Sequence, residues 1–182
     1  MLMLKPLSKA IADNHHIYSV IKGTAVNHGG KANSLTAPNS DAQASLLTEA
    51  YEEAGFDPET ISYLELHGTG TELGVPVEFE GIKKAFKQLA RNQGKQLTKQ
   101  SYCEIGSVKT NIGHLEPASG IAGIMKVILA MKHKKLPGIL HLNEVNPYVR
   151  LDKTPFYITE KTRNWERITD DCGDKVPRRG RS

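Results

Sequence analysis

The chain has 182 residues, 38% of them hydrophobic and 24% charged, which is long enough to bury a core and close to the roughly 100–200 residues of one ordinary domain. Its net charge of +4, from 24 basic and 20 acidic residues, is too small and too dispersed to call for a nucleic-acid partner. Cys103 and Cys172 are too few for a disulfide framework and follow no signal peptide, and the most apolar run, Ile121 to Met131, is broken by Lys126 and falls short of the ~20 residues that span a bilayer, so a cytoplasmic chain without a membrane partner is expected.

Ile17 to Val26 (IYSVIKGTAV) alternates β-branched residues as a strand does, and Asn27, His28, Gly29 and Gly30 break it. Pro38-Asn39-Ser40-Asp41 supplies a helix N-cap; Ala44, Leu47, Tyr51 and Ala54 follow at helical spacing, and Gly55 closes the helix. After the Asp57-Pro58 turn, Ile61 to Leu66 (ISYLEL) reads as a short strand that delivers His67 and the loop Gly68-Thr69-Gly70-Thr71. Strand ends are where α/β proteins keep their sites. A helix with Pro76 in its first turn runs through Phe79, Ile82 and Phe86 to about Ala90. Lys83, Lys84, Lys87, Arg91, Lys95 and Lys99 cluster over this helix and the polar loop Asn92 to Gln100, with Phe86 the one aromatic residue among them. They read as a solvated face, as do Arg178, Arg179 and Arg181, because base stacking has nothing to stand on.

Tyr102 to Val108 is the next strand, ending in the loop Lys109-Thr110-Asn111-Ile112-Gly113-His114. Pro117 then sits in the first turn of a long helix, Ala118 to His133, which is apolar on several faces and is expected to be buried between layers or at an interface. Residues 137–182 are less regular: Asn146-Pro147 and Thr154-Pro155 turns flank extended pieces such as Pro155 to Ile158, expected as edge strands. The recurring strand, loop and helix, without a repeat of 20–50 residues, predicts a layered α/β domain over residues 1–182.

Two loops carry the chemistry. In His67-Gly68-Thr69-Gly70-Thr71 a histidine at a strand end is followed by glycines that let a ligand approach the backbone, so its imidazole is expected to face an open pocket and to move a proton or donate a hydrogen bond. A buried histidine satisfying loop carbonyls fits the same residues. The second loop, Lys109 through His114 to Glu116, sets a cation, an amide and another imidazole ahead of a helix. Two imidazoles and an ammonium in one pocket would stabilise an anion such as an enolate or oxyanion; the competing reading is a Lys109–Glu116 ion pair that only braces the loop. Seven histidines, His15, His16, His28, His67, His114, His133 and His141, are plentiful, but no HExxH or CxxC spacing accompanies them and no metal is expected.

HGTGT at His67 to Thr71 and SVKTNIGHLEPASG at Ser107 to Gly120, in this order, resemble the two signature loops of β-ketoacyl synthases. The likeness extends through VIKGTAVNHGGK at Val20 to Lys31, HLNEVNPYVRL at His141 to Leu151 and PFYITEKTRNW at Pro155 to Trp165. VNHGGKAN (Val26 to Asn33) and PNSDAQASLL (Pro38 to Leu47) look most like the ketosynthase domains of bacterial modular polyketide synthases, in particular those served by a separate acyltransferase. The resemblance implies a thiolase-like layered α/β fold, of which this chain would be the C-terminal half only, unfinished at both ends.

It further implies a decarboxylative Claisen condensation in polyketide or fatty-acid biosynthesis: a cysteine takes an acyl group from an acyl carrier protein, and a malonyl unit loses carbon dioxide and attacks that thioester. By resemblance, His67 and His114 would assist decarboxylation and stabilise the enolate and oxyanion, and Lys109 would orient the site through Glu116. Thr69, Thr71 and Asn111 would contact substrate, the two threonines at the phosphopantetheine arm. No cofactor is expected beyond that arm. Val75 departs from the family's usual aspartate in a Gly-Asp-Pro sequence, which is expected to weaken the loop after HGTGT. The cysteine turn of the family precedes this region, and Cys103 and Cys172 are expected to be structural or incidental, so the chain alone is expected to be inactive and to need an N-terminal ketosynthase half. Complete members are usually homodimers. A non-catalytic carrier or subunit docking element, and a malonyl decarboxylase, are the alternative readings.

Overall fold

The computed structural model describes residues 1–30, 38–170 and 172–182; Lys31 to Asn33 of the VNHGGKAN stretch lie outside them. In chain order the elements are α1 (Leu7–Ala12), α2 (Ser40–Ala54), β1 (Tyr63–Glu65), α3 (Gly74–Asn92), β2 (Cys103–Gly106), α4 (Lys109–Ile112), α5 (Ser119–His133), β3 (Lys135–Leu136), β4 (Phe156–Tyr157), β5 (Arg163–Asn164) and β6 (Gly180–Arg181), with 3-10 turns at Pro58–Thr60 and Glu116–Ala118.

Four strands form a sheet in the order β4-β2-β1-β6, every pair parallel. Parallel neighbours need a long crossover, and α3 supplies it between β1 and β2. Every residue of β1 and β2 is buried, as a parallel sheet covered on both faces requires. Side chains alternate across the strand: Leu64 joins a cluster with Leu47 and Tyr51 of α2 and Phe79, Ile82 and Phe86 of α3, whereas Tyr63 joins Val127 and Ala130 of α5, Leu136 and Trp165 on the other face. The Trp165 indole N–H donates to Ser62 Oγ at 2.8 Å.

α2 begins and ends as its sequence predicts. Asn39 Oδ1 accepts the Asp41 and Ala42 amides at 2.9 and 3.2 Å, and Gly55 closes the helix in the left-handed conformation at φ +66°. Three expectations are corrected. Ile17 to Val26 forms no strand: its pattern favours extended backbone, but a strand exists only through ladder partners, and this segment instead leans on α2, with the Thr24 amide on Glu53 Oε2 at 2.6 Å. Lys109–Ile112 is a helical turn rather than an open loop. Pro117 lies in the 3-10 turn that precedes α5, not in the first turn of the long helix itself. At the other end of the chain, Gly180–Arg181 pairs with Tyr63 and Leu64 of β1.

Within this chain α5 is covered on one side only. Gly123, Val127 and Ala130 are buried, whereas Ile121, Met125 and Leu129 are 40–49% exposed at successive turns, so the expectation of burial holds for one face of the helix. The Pro155 to Ile158 segment is an edge strand as expected, through β4 on β2. No described helix is long and apolar enough to cross a membrane.

Phe86 is fully buried and meets Tyr51 and Phe156 edge-on, with ring centroids 5.9 and 4.9 Å away. Phe86→Ala is expected to lower the unfolding free energy by about 3–5 kcal/mol, measured by urea denaturation. A loss no larger than that of a surface substitution would contradict this packing.

Candidate functional site

β1 and β2 run parallel with Glu65 opposite Gly106, and the Leu66 amide extends the ladder to the Gly106 carbonyl at 2.7 Å. Both chains therefore leave the sheet at the same edge. The first exit is the His67 loop, held from beneath by Glu78 of α3: Oε1 accepts the His67 N–H at 2.7 Å and Oε2 the Gly68 N–H at 2.9 Å. Gly68 has φ +46°, and a Cβ there would stand 2.9 Å from the Ser107 Cβ, so the two loops touch at a place that only glycine fills. Beyond it, Thr71 Oγ1 accepts the Gly74 amide at 3.1 Å at the start of α3 and lies 3.3 Å from Thr69 Oγ1. Thr69 and Thr71 are exposed.

The second exit begins at Ser107. The Val108 N–H donates to Glu65 Oε1, and Glu65 Oε2 also receives the Tyr63 hydroxyl at 2.7 Å and the Lys126 ammonium at 2.9 Å. This buried carboxylate joins β1, the start of α4 and α5. Thr110 Oγ1 returns to the Ser107 carbonyl at 3.0 Å, while Asn111 is exposed. Glu116 takes a left-handed φ of +48°, and its N–H donates to His114 Nδ1 at 2.9 Å.

These loops bring His67 and His114 together, with ring centroids 5.3 Å apart and planes at 84°. The Lys109 ammonium stands 3.5 Å from His67 Nδ1, the long limit of a hydrogen bond. Each Nδ1 thus faces a donor, which leaves the Nε2 of each neutral ring as its N–H. Desolvation holds the His67 pKa below the ordinary imidazole value, the Lys109 and His114 charges push the same way, and Glu78 opposes them.

The expected bond between Lys109 and Glu116 is a correction: no ion pair joins them, because the positive φ of Glu116 turns its amide toward His114 and Lys109 points to His67. The expected pocket is also a correction. Both histidines are exposed, and two depressions among the described residues, about 620 and 220 Å³, lie elsewhere, between α2 and α3 and beside Trp165. Val75, at the place of the family's usual aspartate, packs partly buried against the core cluster that α2 and α3 share. The Cys103 thiol is buried and its pKa is driven well above the ordinary value by desolvation, so it is an inert core thiol; Cys172 is exposed in the C-terminal region. Among the described residues no three His, Cys, Asp or Glu side chains converge as a metal group.

Glu65 and Glu78 are the site's neighbours that reading the motifs missed. Their signal was present: Glu65 interrupts the apolar strand YLEL, and Glu78 lies four residues before Ile82 and seven before Ala85, on the buried stripe of α3. A carboxylate in either place must find donors.

The family profile described as beta-ketoacyl synthase, C-terminal domain, matches residues 18–143. The polyketide synthase PksN of Bacillus subtilis is 55% identical over 179 residues, which are 98% of this chain and 3% of that protein. Among solved structures, the oxazolomycin ketosynthase domain OzmH KS7 of Streptomyces albus is 43% identical with a TM-score of 0.88 over 97% of this chain and 29% of that one. The ketosynthase from module 6 of the bacillaene synthase of Bacillus subtilis is 41% identical with a TM-score of 0.82, over 89% of this chain and 28% of that one. The chain therefore spans under a third of the ketosynthase structures that it matches.

In a histidine NMR titration, His67 is expected to protonate below the ~6.5 of a free imidazole, and Lys109→Ala to move its midpoint upward by removing a repelling charge. A midpoint at or above 6.5, or one indifferent to Lys109, would contradict this electrostatic arrangement.

Proposed function

The chain belongs to the β-ketoacyl synthase family, as the C-terminal part of a polyketide synthase ketosynthase with the thiolase-like fold, and on that premise we propose that residues 1–182 form one half-domain that supplies the two-histidine side of a decarboxylative condensing site. The observation that supports this reading is the meeting of His67 and His114 at 5.3 Å with each Nδ1 turned toward a donor. Their Nε2–H groups are then free to point at developing negative charge.

In this reading a malonyl thioester, carried on the phosphopantetheine of an acyl carrier protein, lays its carbonyl oxygen between the two imidazoles. The carboxylate carbon–carbon bond breaks, carbon dioxide leaves, and the electron pair becomes an enolate held by hydrogen bonds from His67 and His114. The enolate carbon attacks the acyl thioester on a cysteine, a carbon–carbon bond forms, and the thiolate leaves. Lys109 keeps the His67 imidazole neutral and oriented. Asn111, exposed beside His114, would meet the substrate; Thr69 and Thr71, also exposed, would meet the phosphopantetheine arm, Thr71 while anchoring α3 through Gly74.

The nucleophile lies outside this chain: Cys103 is buried within the sheet, and Cys172 belongs to the irregular C-terminal region. The partners are then an acyl carrier protein and an N-terminal ketosynthase half, in a cytoplasmic homodimer that engages neither membrane nor nucleic acid. The isolated chain would not turn over. The PNSDAQASLL sequence at Pro38 to Leu47 supports a synthase served by a separate acyltransferase.

In a complete ketosynthase built from this chain and a matching N-terminal half, His67→Ala and His114→Ala are each expected to reduce condensation by about 10²–10³-fold, the effect of deleting one oxyanion donor. Product formation by carrier-bound substrates, followed by mass spectrometry, measures it. Condensation at the parent rate in either variant would overturn the assignment.

A further inference from the structure

Behind the His67 loop stands a charged side chain that the condensation chemistry does not use. Glu78 projects from the first part of α3 and is only 7% exposed. Both of its oxygens are spent on consecutive backbone amides, those of His67 at 2.7 Å and Gly68 at 2.9 Å. Among the described residues no lysine, arginine or histidine side chain forms an ion pair with it, so these two charge-assisted hydrogen bonds are its compensation for leaving water. Phe79, Ile82 and Phe86, on the same helix, are fully buried against the sheet, which fixes the height of Glu78 relative to the end of β1.

We propose that Glu78 is a positioning residue for His67, holding the His67–Gly68 turn by two hydrogen bonds and so setting the direction from which the imidazole meets its substrate. A glutamine in its place would offer one acceptor and present an N–H₂ to the second amide, so paired acceptance requires a carboxylate. An aspartate would keep the charge but fall one methylene short. The charged and titratable groups that face His67 are Lys109, His114 and Glu78: the first two disfavour the imidazolium and Glu78 favours it. Removing the Glu78 charge therefore makes His67 harder to protonate, whereas merely loosening the loop would expose the ring and move it the other way.

The inference rests on the proposed role of His67 for its functional consequence, and its geometry is tested separately. With the 182-residue chain, Glu78→Gln is expected to lower the His67 NMR titration midpoint and to shift the His67 and Gly68 amide protons upfield with faster exchange; Glu78→Asp is expected to disturb the amides while leaving the midpoint near that of the parent. A midpoint and two amide signals unchanged by Glu78→Gln would overturn the proposal. If Glu78→Gln does not fold, the parent chain decides: the His67 and Gly68 amide protons must titrate together with the Glu78 side-chain carboxyl carbon, and amides indifferent to that titration would overturn it equally. In the complete ketosynthase, Glu78→Gln is expected to reduce kcat by up to about 10²-fold, the scale of a misplaced reacting group, with KM for the carrier-bound substrate unchanged. Loss of KM alone would count against positioning, and an unaffected His67→Ala control would remove the condensing role of His67 while leaving the titration result to judge Glu78.

Discussion

The site depends on one constraint, the parallel pairing of β1 with β2. Because Tyr63, Leu64 and Glu65 lie opposite Glu104, Ile105 and Gly106, both strands end at the same sheet edge. An antiparallel pair would have sent the two loops to opposite ends. The parallel pairing needs α3 as its crossover, and the core of Phe79, Ile82, Phe86 and Leu64 holds that crossover down. The apolar packing of α3 is thus what allows two histidines 47 positions apart in the chain to meet edge to face.

Two buried carboxylates convert that pairing into a defined geometry. Glu78 holds the first loop from the α3 side, and Glu65 holds the second from the α5 side, where Tyr63 and Lys126 complete its donors. Burying a carboxylate is costly unless every oxygen finds a partner, and here each does. The small residues nearby follow from this crowding. A Cβ at Gly106 would come within 2.6 Å of the Tyr63 hydroxyl, and one at Gly123 within 3.2 Å of Glu65 Cγ. Side chains there would push apart the strand and helix that enclose Glu65.

Two parts of the surface stay uncovered. Ile121, Met125 and Leu129 form a partly exposed apolar stripe on α5, and both histidines stand on an open surface rather than in a cleft. These features agree with a chain that spans 28–29% of the ketosynthase structures it resembles.

The amino-acid sequence by itself determined the local elements and the family: the Asn39 cap and Gly55 stop of α2, the strands leading to His67 and Lys109, and the two motifs that mark a ketosynthase. These are legible because capping, periodicity and motif spacing are properties of neighbouring residues. Only the tertiary structure decided which of them pair. Ile17 to Val26 has strand chemistry and no ladder, whereas the unremarkable Gly180–Arg181 becomes a strand because β1 offers it an edge. Likewise Lys109 turns to His67 rather than Glu116, and the two histidines singled out from their motifs acquire a geometry from Glu65 and Glu78. The pattern marks Glu65 and Glu78 as buried carboxylates that must find donors, but which distant amides supply them has no signature at short range, so that part of the site existed only once the sheet had formed.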